Sequence, residues 1–209
     1  HAVGSDMRVT WVGPGPLDYE VQIVFYRDCA GSPAPGTMMF CYASSNCGIS
    51  NSMAIGQDAG TGQEISPICP TQATRCSGGT FMGVQEYTYT STITLPSACD
   101  DWVFTTYLCC RNNAITNLNN PGGARINIRA TLDNLNFPMN STPYFANKPV
   151  PFICVGQSFT YNHGAQDPEG DNLQYSLINP RSGSNCTDNA VVAYNGLFSA
   201  NSPLSSTPA

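Results

Sequence analysis

The chain has 209 residues, ten of them cysteine, with 11% charged residues and a formal net charge of −6. Reducing buffers keep cytosolic thiols free, and a surface with one lysine has no basic stripe to follow a phosphate backbone, so a cytosolic enzyme, a nucleic-acid partner and an anionic membrane surface are all disfavoured. No C-x2-C pair occurs, which sets zinc aside and leaves the thiols as disulfide bridges. No apolar run approaches the roughly 20 residues of a spanning helix, so membrane insertion is not expected.

Nineteen glycines and sixteen prolines among many Ser, Thr and Asn residues fit short strands and tight turns, and no sustained i, i+3, i+4 apolar stripe argues for a helix. In chain order, a strand is expected at Met7 to Val12. A firmer one begins at Tyr19, where Tyr19, Val21, Ile23 and Phe25 alternate with Glu20 and Gln22. The stretch 30–83 is poor in pattern and rich in Gly, Ser and Cys, and reads as a long irregular insertion containing one weak strand, Met38 to Ala43. From Glu86 to Leu95, Thr88, Thr90, Thr92 and Thr94 line one face, with Tyr87, Tyr89, Ile93 and Leu95 on the other. Trp102, Phe104, Leu108 and Cys110 share one face of a further strand. Ile126, Ile128, Ala130 and Leu132 share one face of the next, with Arg125, Asn127 and Arg129 expected in solvent. Weaker strands are expected at Ser158 to Tyr161 and Leu173 to Leu177.

The fold class is therefore all-β. A disulfide-stapled, immunoglobulin-like β-sandwich is expected over 1–139, followed by a Pro-rich linker over 140–151 and a second, incomplete β unit over 152–209. The sequence opens at His1 without an apolar leader, as a mature exported chain would.

Strand parity points Cys29 and Cys110 inward to a shared core and Cys109 to the opposite face. Cys99 and Cys109 would stand about 30 Å apart along one strand and should not pair. Short spacings favour local clips between Cys41 and Cys47 and between Cys69 and Cys76. A bridge from Cys154 to Cys186 would staple the second unit internally. Cys109 and Cys110 are adjacent, which allows a vicinal redox switch beside the plainer structural role.

Asp167, Glu169 and Asp171 crowd one turn with hard oxygen ligands, which suits calcium, although the glycine and terminal glutamate of an EF-hand loop are missing. His1 and His163 are the only histidines. An amino-terminal histidine with a second one resembles the copper site of lytic polysaccharide monooxygenases. No G-x-S-x-G elbow is present, and the neighbours Asp100 and Asp101 point to opposite sides of a strand start, so other catalysis finds no constellation and the chain is not expected to be an enzyme. Asn140-Ser141-Thr142 and Asn185-Cys186-Thr187 match the glycosylation acceptor pattern, with polar turns as the simpler reading.

Tyr26-Arg27-Asp28-Cys29, Leu95-Pro96 through Cys99 and Trp102, Cys109-Cys110-Arg111-Asn112, and Asn140-Ser141-Thr142-Pro143 together resemble an amino-terminal module of large Bacteroidetes cell-surface proteins of the gliding-motility adhesin type. Cys154-Val155-Gly156-Gln157, Asp167 to Asp171 and Leu173-Gln174-Tyr175 are similar to cadherin-like domains of the dystroglycan type. The resemblance implies export by a type IX system to the bacterial cell surface, a longer parent chain, and a role in adhesion or as a surface fibre subunit. Its partners would be other subunits, further domains of the same chain, or surface glycans. The alternatives are a secreted carbohydrate-binding module with Trp11, Tyr42 and Tyr144 as an aromatic platform, and the copper-dependent polysaccharide monooxygenase using His1.

Overall fold

A computed structural model describes residues 2–69, 71–149, 158 and 160–204. Its strands in chain order are β1 (Ala2–Trp11), β2 (Asp18–Asp28), β3 (Thr37–Ser44), β4 (Ile49–Gly56), β5 (Gln63–Glu64), β6 (Val84–Thr94), β7 (Trp102–Leu108), β8 (Ile126–Leu132), β9 (Tyr144–Phe145) and β10 (Ala165–Gln166). They form one antiparallel sheet in the order β1-β2-β6-β5 and a second in the order β4-β3-β7-β8, with β9 and β10 paired apart. This is the disulfide-stapled, all-β sandwich expected from the sequence. The helical pieces among the described residues are two short 3-10 turns, Arg75–Ser77 and Pro121–Gly123.

Alternation fills the space between the sheets. Val9, Tyr19, Val21, Ile23 and Tyr89 are fully buried from one sheet, and Phe40, Trp102 and Phe104 from the other. Phe40 and Phe104 stack with ring centroids 6.0 Å apart, and Trp102 continues the stack 6.1 Å from Phe104. Each such ring removes about 150–250 Å² from water, worth roughly 4–6 kcal/mol as an upper bound.

The stretch 30–83 is more ordered than its composition predicts. β3 and β4 form a complete hairpin, from Thr37 opposite Gly56 to Ser44 opposite Ile49, and β3 also pairs with β7, which makes it an interior strand of the second sheet. β4 escaped the alternation test because it is an edge strand whose core-facing side, Ile49, Met53 and Ile55, is interrupted by Asn51, and Ser50, Asn51 and Ser52 are all exposed. The strand expected at Leu173 to Leu177 does not form. Tyr175 and Leu177 are each 63% exposed and no neighbouring strand offers them a ladder. Residues 158, 160 and 161 are not in a strand either, and Phe159 lies outside the described residues.

Asn127 and Arg129 do not face solvent as expected. Asn127 Nδ2 donates to the Gly183 carbonyl at 2.9 Å, and Arg129 Nη2 donates to the Cys186 carbonyl at 2.6 Å. Parity assigns a residue to a face, and here the outer face of β8 is covered by the segment 181–195, which the sequence did not place there. Arg125 is exposed as expected. On the other sheet, the free edge of β1 is closed by Ser141 and Thr142. The Val9 amide donates to Thr142 Oγ1 at 2.9 Å, the Thr142 amide to the Val9 carbonyl at 2.9 Å, and the Trp11 amide to Ser141 Oγ at 3.1 Å. An edge satisfied in this way is a poor template for adding a foreign strand.

Candidate functional site

Four disulfides join the described cysteines: Cys29–Cys76, Cys41–Cys186, Cys47–Cys99 and Cys109–Cys110. The expected clip between Cys41 and Cys47 is absent. Cys41 alternates with the inward Phe40 and so points to the outer face, where it packs with Ala43 and Cys186, while Cys47 sits in the exposed turn beyond Ser44. The clip between Cys69 and Cys76 is also absent, since Cys76 reaches Cys29 and Cys69 is exposed with no disulfide to any described residue. Cys186 binds Cys41 rather than Cys154, and Cys154 lies outside the described residues. Cys29 and Cys110 do not meet in a shared core. Each lies just past its strand end, where alternation no longer controls direction. Cys99 and Cys109 stay apart, as expected.

Hydrogen bonds reinforce the bridge between Cys47 and Cys99. The Ser44 hydroxyl donates to Asp101 Oδ1, and the amides of Ser45 and Asn46 donate to Asp101 Oδ2 at 2.9 and 3.0 Å, which holds the Asp101 carboxyl below the usual carboxylate range, the Ser44 bond contributing most. Beside it, the buried Asn134 accepts the Cys99 amide at 2.9 Å and donates to the Tyr19 hydroxyl at 3.3 Å. The turn between β3 and β4 is thus pinned covalently and electrostatically to the start of β7.

A groove of about 420 Å³ runs along the outer face of β1 and β2 and is bordered on its other side by β8 at Ile128, Arg129, Ala130 and Thr131. Its floor carries Asp6 and Arg8 of β1 and Gln22 and Tyr26 of β2, and its far wall is built by Tyr144, Phe145 and the chain around Tyr175. The Arg8 guanidinium lies 5.6 Å from the Tyr144 ring centroid. The Tyr144 hydroxyl donates to Gln166 Oε1 at 2.7 Å, and the Ala165 amide donates to the Tyr175 hydroxyl at 3.0 Å, so both rings are fixed at the wall. Burial raises the Asp6 pKa, only partly offset by the Tyr26 hydroxyl, which donates to Asp6 Oδ2 at 3.2 Å. Burial likewise drives the Tyr26 pKa far upward, keeping that phenol neutral.

The three residues of the acidic turn do not converge. Asp167 Oδ1 accepts the amides of Glu169 and Asp171 at 3.0 and 3.1 Å, closing the turn on itself. Glu169 Oε2 accepts the Ser141 amide at 3.1 Å and so ties the turn to the segment that caps β1. Asp167 and Asp171 border an open cleft with Asp100, Asp101 and Asp133. Among the described residues no three His, Cys, Asp or Glu side chains gather as a metal site, and the calcium expectation rests on the sequence.

His163 packs between Phe145 and Tyr161, at centroid distances of 4.9 and 4.7 Å, and His1 lies outside the described residues. The three aromatics of the expected platform sit in three places. Trp11 Nε1 donates to the Gly15 carbonyl at 2.9 Å, Tyr42 packs on Trp102 and Phe40 against the core, and only Tyr144 lines the groove. Both glycosylation patterns act as polar turns or caps: Asn185 Oδ1 accepts the Thr187 and Asp188 amides, and Ser141 and Thr142 bind β1. Arg8 is the groove residue that sequence reasoning missed, since nothing in its neighbours along the chain marks it apart from a half-buried strand position.

Comparison with protein-family models, curated proteins and solved structures gives no match to this chain. Among the described residues no helix is long and apolar enough to cross a membrane.

Proposed function

We propose that this chain is an extracellular structural or adhesive module of a bacterial surface protein, built to carry tension between neighbouring subunits or domains. The observation that supports the reading is the bridge Cys41–Cys186, which joins residues 145 positions apart. A pull applied at the two ends runs along 1–41, crosses the sulfur bridge and leaves along 186–209. The chain between the two cysteines lies inside a covalent loop and cannot be extended while the bridge is intact, although β4, β6 and β7 within it still hold β2 and β3 by their ladders. The anchor sits on β3, which is hydrogen-bonded on both sides by β4 and β7, so force arriving through Cys186 enters the second sheet at an interior strand, while at the other end it enters through the edge strand β1, which Ser141 and Thr142 hold. Several disulfides in one chain belong to an oxidising compartment, in keeping with a role outside the cell.

Single-molecule pulling tests this. The oxidised full chain, held at its ends, is expected to release about 20 nm of contour on unfolding, and about 70 nm once reduced. A release near the longer value without reductant contradicts the reading.

A further inference from the structure

The groove over β1 and β2 contains a charge with no partner. Arg8 Nε is buried from water and has no hydrogen-bond partner among the described residues, and no carboxylate comes within ion-pair distance of its guanidinium: the ion pair found among those residues is Lys148 with Glu86. Asp6, the nearest acid along the strand, gives its Oδ2 to Tyr26 instead. A buried N–H left without an acceptor loses the hydrogen bond it makes to water in the unfolded chain. A carboxylate entering from the groove would recover that loss, because the guanidinium presents parallel donors that match its two oxygens. The Tyr144 ring of the far wall, 5.6 Å from the guanidinium, is a cation–π neighbour that holds it near its place before any ligand arrives.

The rest of the groove narrows the chemistry. Tyr144 and Tyr175 are held by their hydroxyls and offer ring faces, and Phe145 is 46% exposed beside them. Gln22 and Gln174 bring side-chain amides that can donate to and accept from hydroxyls. A volume of about 420 Å³ lies within the range of small-ligand sites, about 300–1,000 Å³. An acidic peptide would bind most firmly by extending an open strand edge, but the amides of Val9 and Trp11 and the Val9 carbonyl are already taken by Ser141 and Thr142. We propose that this groove binds a carboxylate-bearing sugar residue, with the carboxylate on Arg8, the pyranose ring against Tyr144 and Tyr175, and hydroxyls on Gln22 and Gln174. The inference stands on the groove and not on the load path, so the two are tested separately.

The test is a calorimetric titration of the oxidised full chain with a trimer of galacturonic acid, a neutral maltose trimer and an acidic tripeptide. Saturable binding of the uronate trimer alone is expected. Arg8→Gln is expected to weaken it by about tenfold or more, Arg8→Lys by less, and Arg75→Gln, on the distant 3-10 turn, not at all. Unchanged thermal unfolding of Arg8→Gln separates lost binding from lost fold; if that variant unfolds, Tyr144→Ala carries the same comparison. Equal binding of the neutral trimer, binding of the peptide alone, undiminished binding by Arg8→Gln, or no binding of any probe at millimolar concentration would each overturn the proposal.

Discussion

The interior of the sandwich and the segment 181–195 lie on opposite faces of the sheet formed by β3, β7 and β8, and they are held by different means. Inside, Phe40, Trp102 and Phe104 stack and are wholly withdrawn from water. Outside, the segment offers few apolar side chains. It is held by the bridge from Cys186 to Cys41, by donation from Asn127, Arg129 and Arg111 to its carbonyls, and by a short pairing of Leu118 with Tyr194. Burial specifies the first region; a covalent tie with borrowed donors specifies the second. A region with so little core of its own stays in place only while its tether and its hydrogen bonds persist.

The comparison can be broken most forcefully from the inside. Phe104→Ala is expected to cost about 3–5 kcal/mol and to lower the unfolding midpoint of the whole chain, read by thermal denaturation. Loss of structure confined to 181–195 would contradict it. The double variant Cys41→Ser with Cys186→Ser is expected to cost less, about 2–4 kcal/mol. Its sharper signature is local: limited proteolysis should open 181–195 first while β2 and β6 keep their amide protection, and equal loss of protection in both regions would show them to be one cooperative unit.

Smaller effects sharpen the picture at the edges. Thr142→Val leaves the buried Val9 amide without its acceptor and is expected to cost about 1–3 kcal/mol, measured by denaturant unfolding at unchanged slope. Asp6 gives an opposite sign. Its pKa in the fold is raised by burial, so the folded chain holds that proton more tightly than the unfolded one, and stability falls as pH rises from the ordinary carboxylate range, about 4, through the raised value. Asp6→Asn is therefore expected to raise the unfolding midpoint at neutral pH, the gain disappearing in acid. Asp101 runs the other way: its lowered pKa contributes stability above the ordinary range that is lost as pH falls below it. Asp101→Asn should flatten the acid limb of the stability profile, and an unchanged limb would show that the turn between β3 and β4 is held by its disulfide alone.

The same division explains what the sequence made legible. β2, β6, β7 and β8 each have one face in the core, and Tyr19 to Phe25 or Ile126 to Leu132 announce it by alternation. β4 is an edge strand whose inward side is broken by the exposed Asn51 between Ile49 and Met53, and its hairpin with β3 was read as irregular chain. The cysteines defeated local spacing because Cys41 and Cys186 are brought together by three-dimensional layering across 145 positions, which no short-range rule contains. Arg8 was overlooked for a related reason. What distinguishes it is the carboxylate it lacks and the Tyr144 ring beside it, and both are properties of a wall that arrives from more than a hundred residues further along the chain.

The covalent layering is tested most directly by mass mapping of the chain digested with chymotrypsin without reductant. The peptide containing Cys41 is expected to be recovered joined to the peptide containing Cys186, with Cys47 joined to Cys99. Recovery of Cys186 joined to Cys154, or of Cys41 joined to Cys47, would contradict both the tether and the load path built on it.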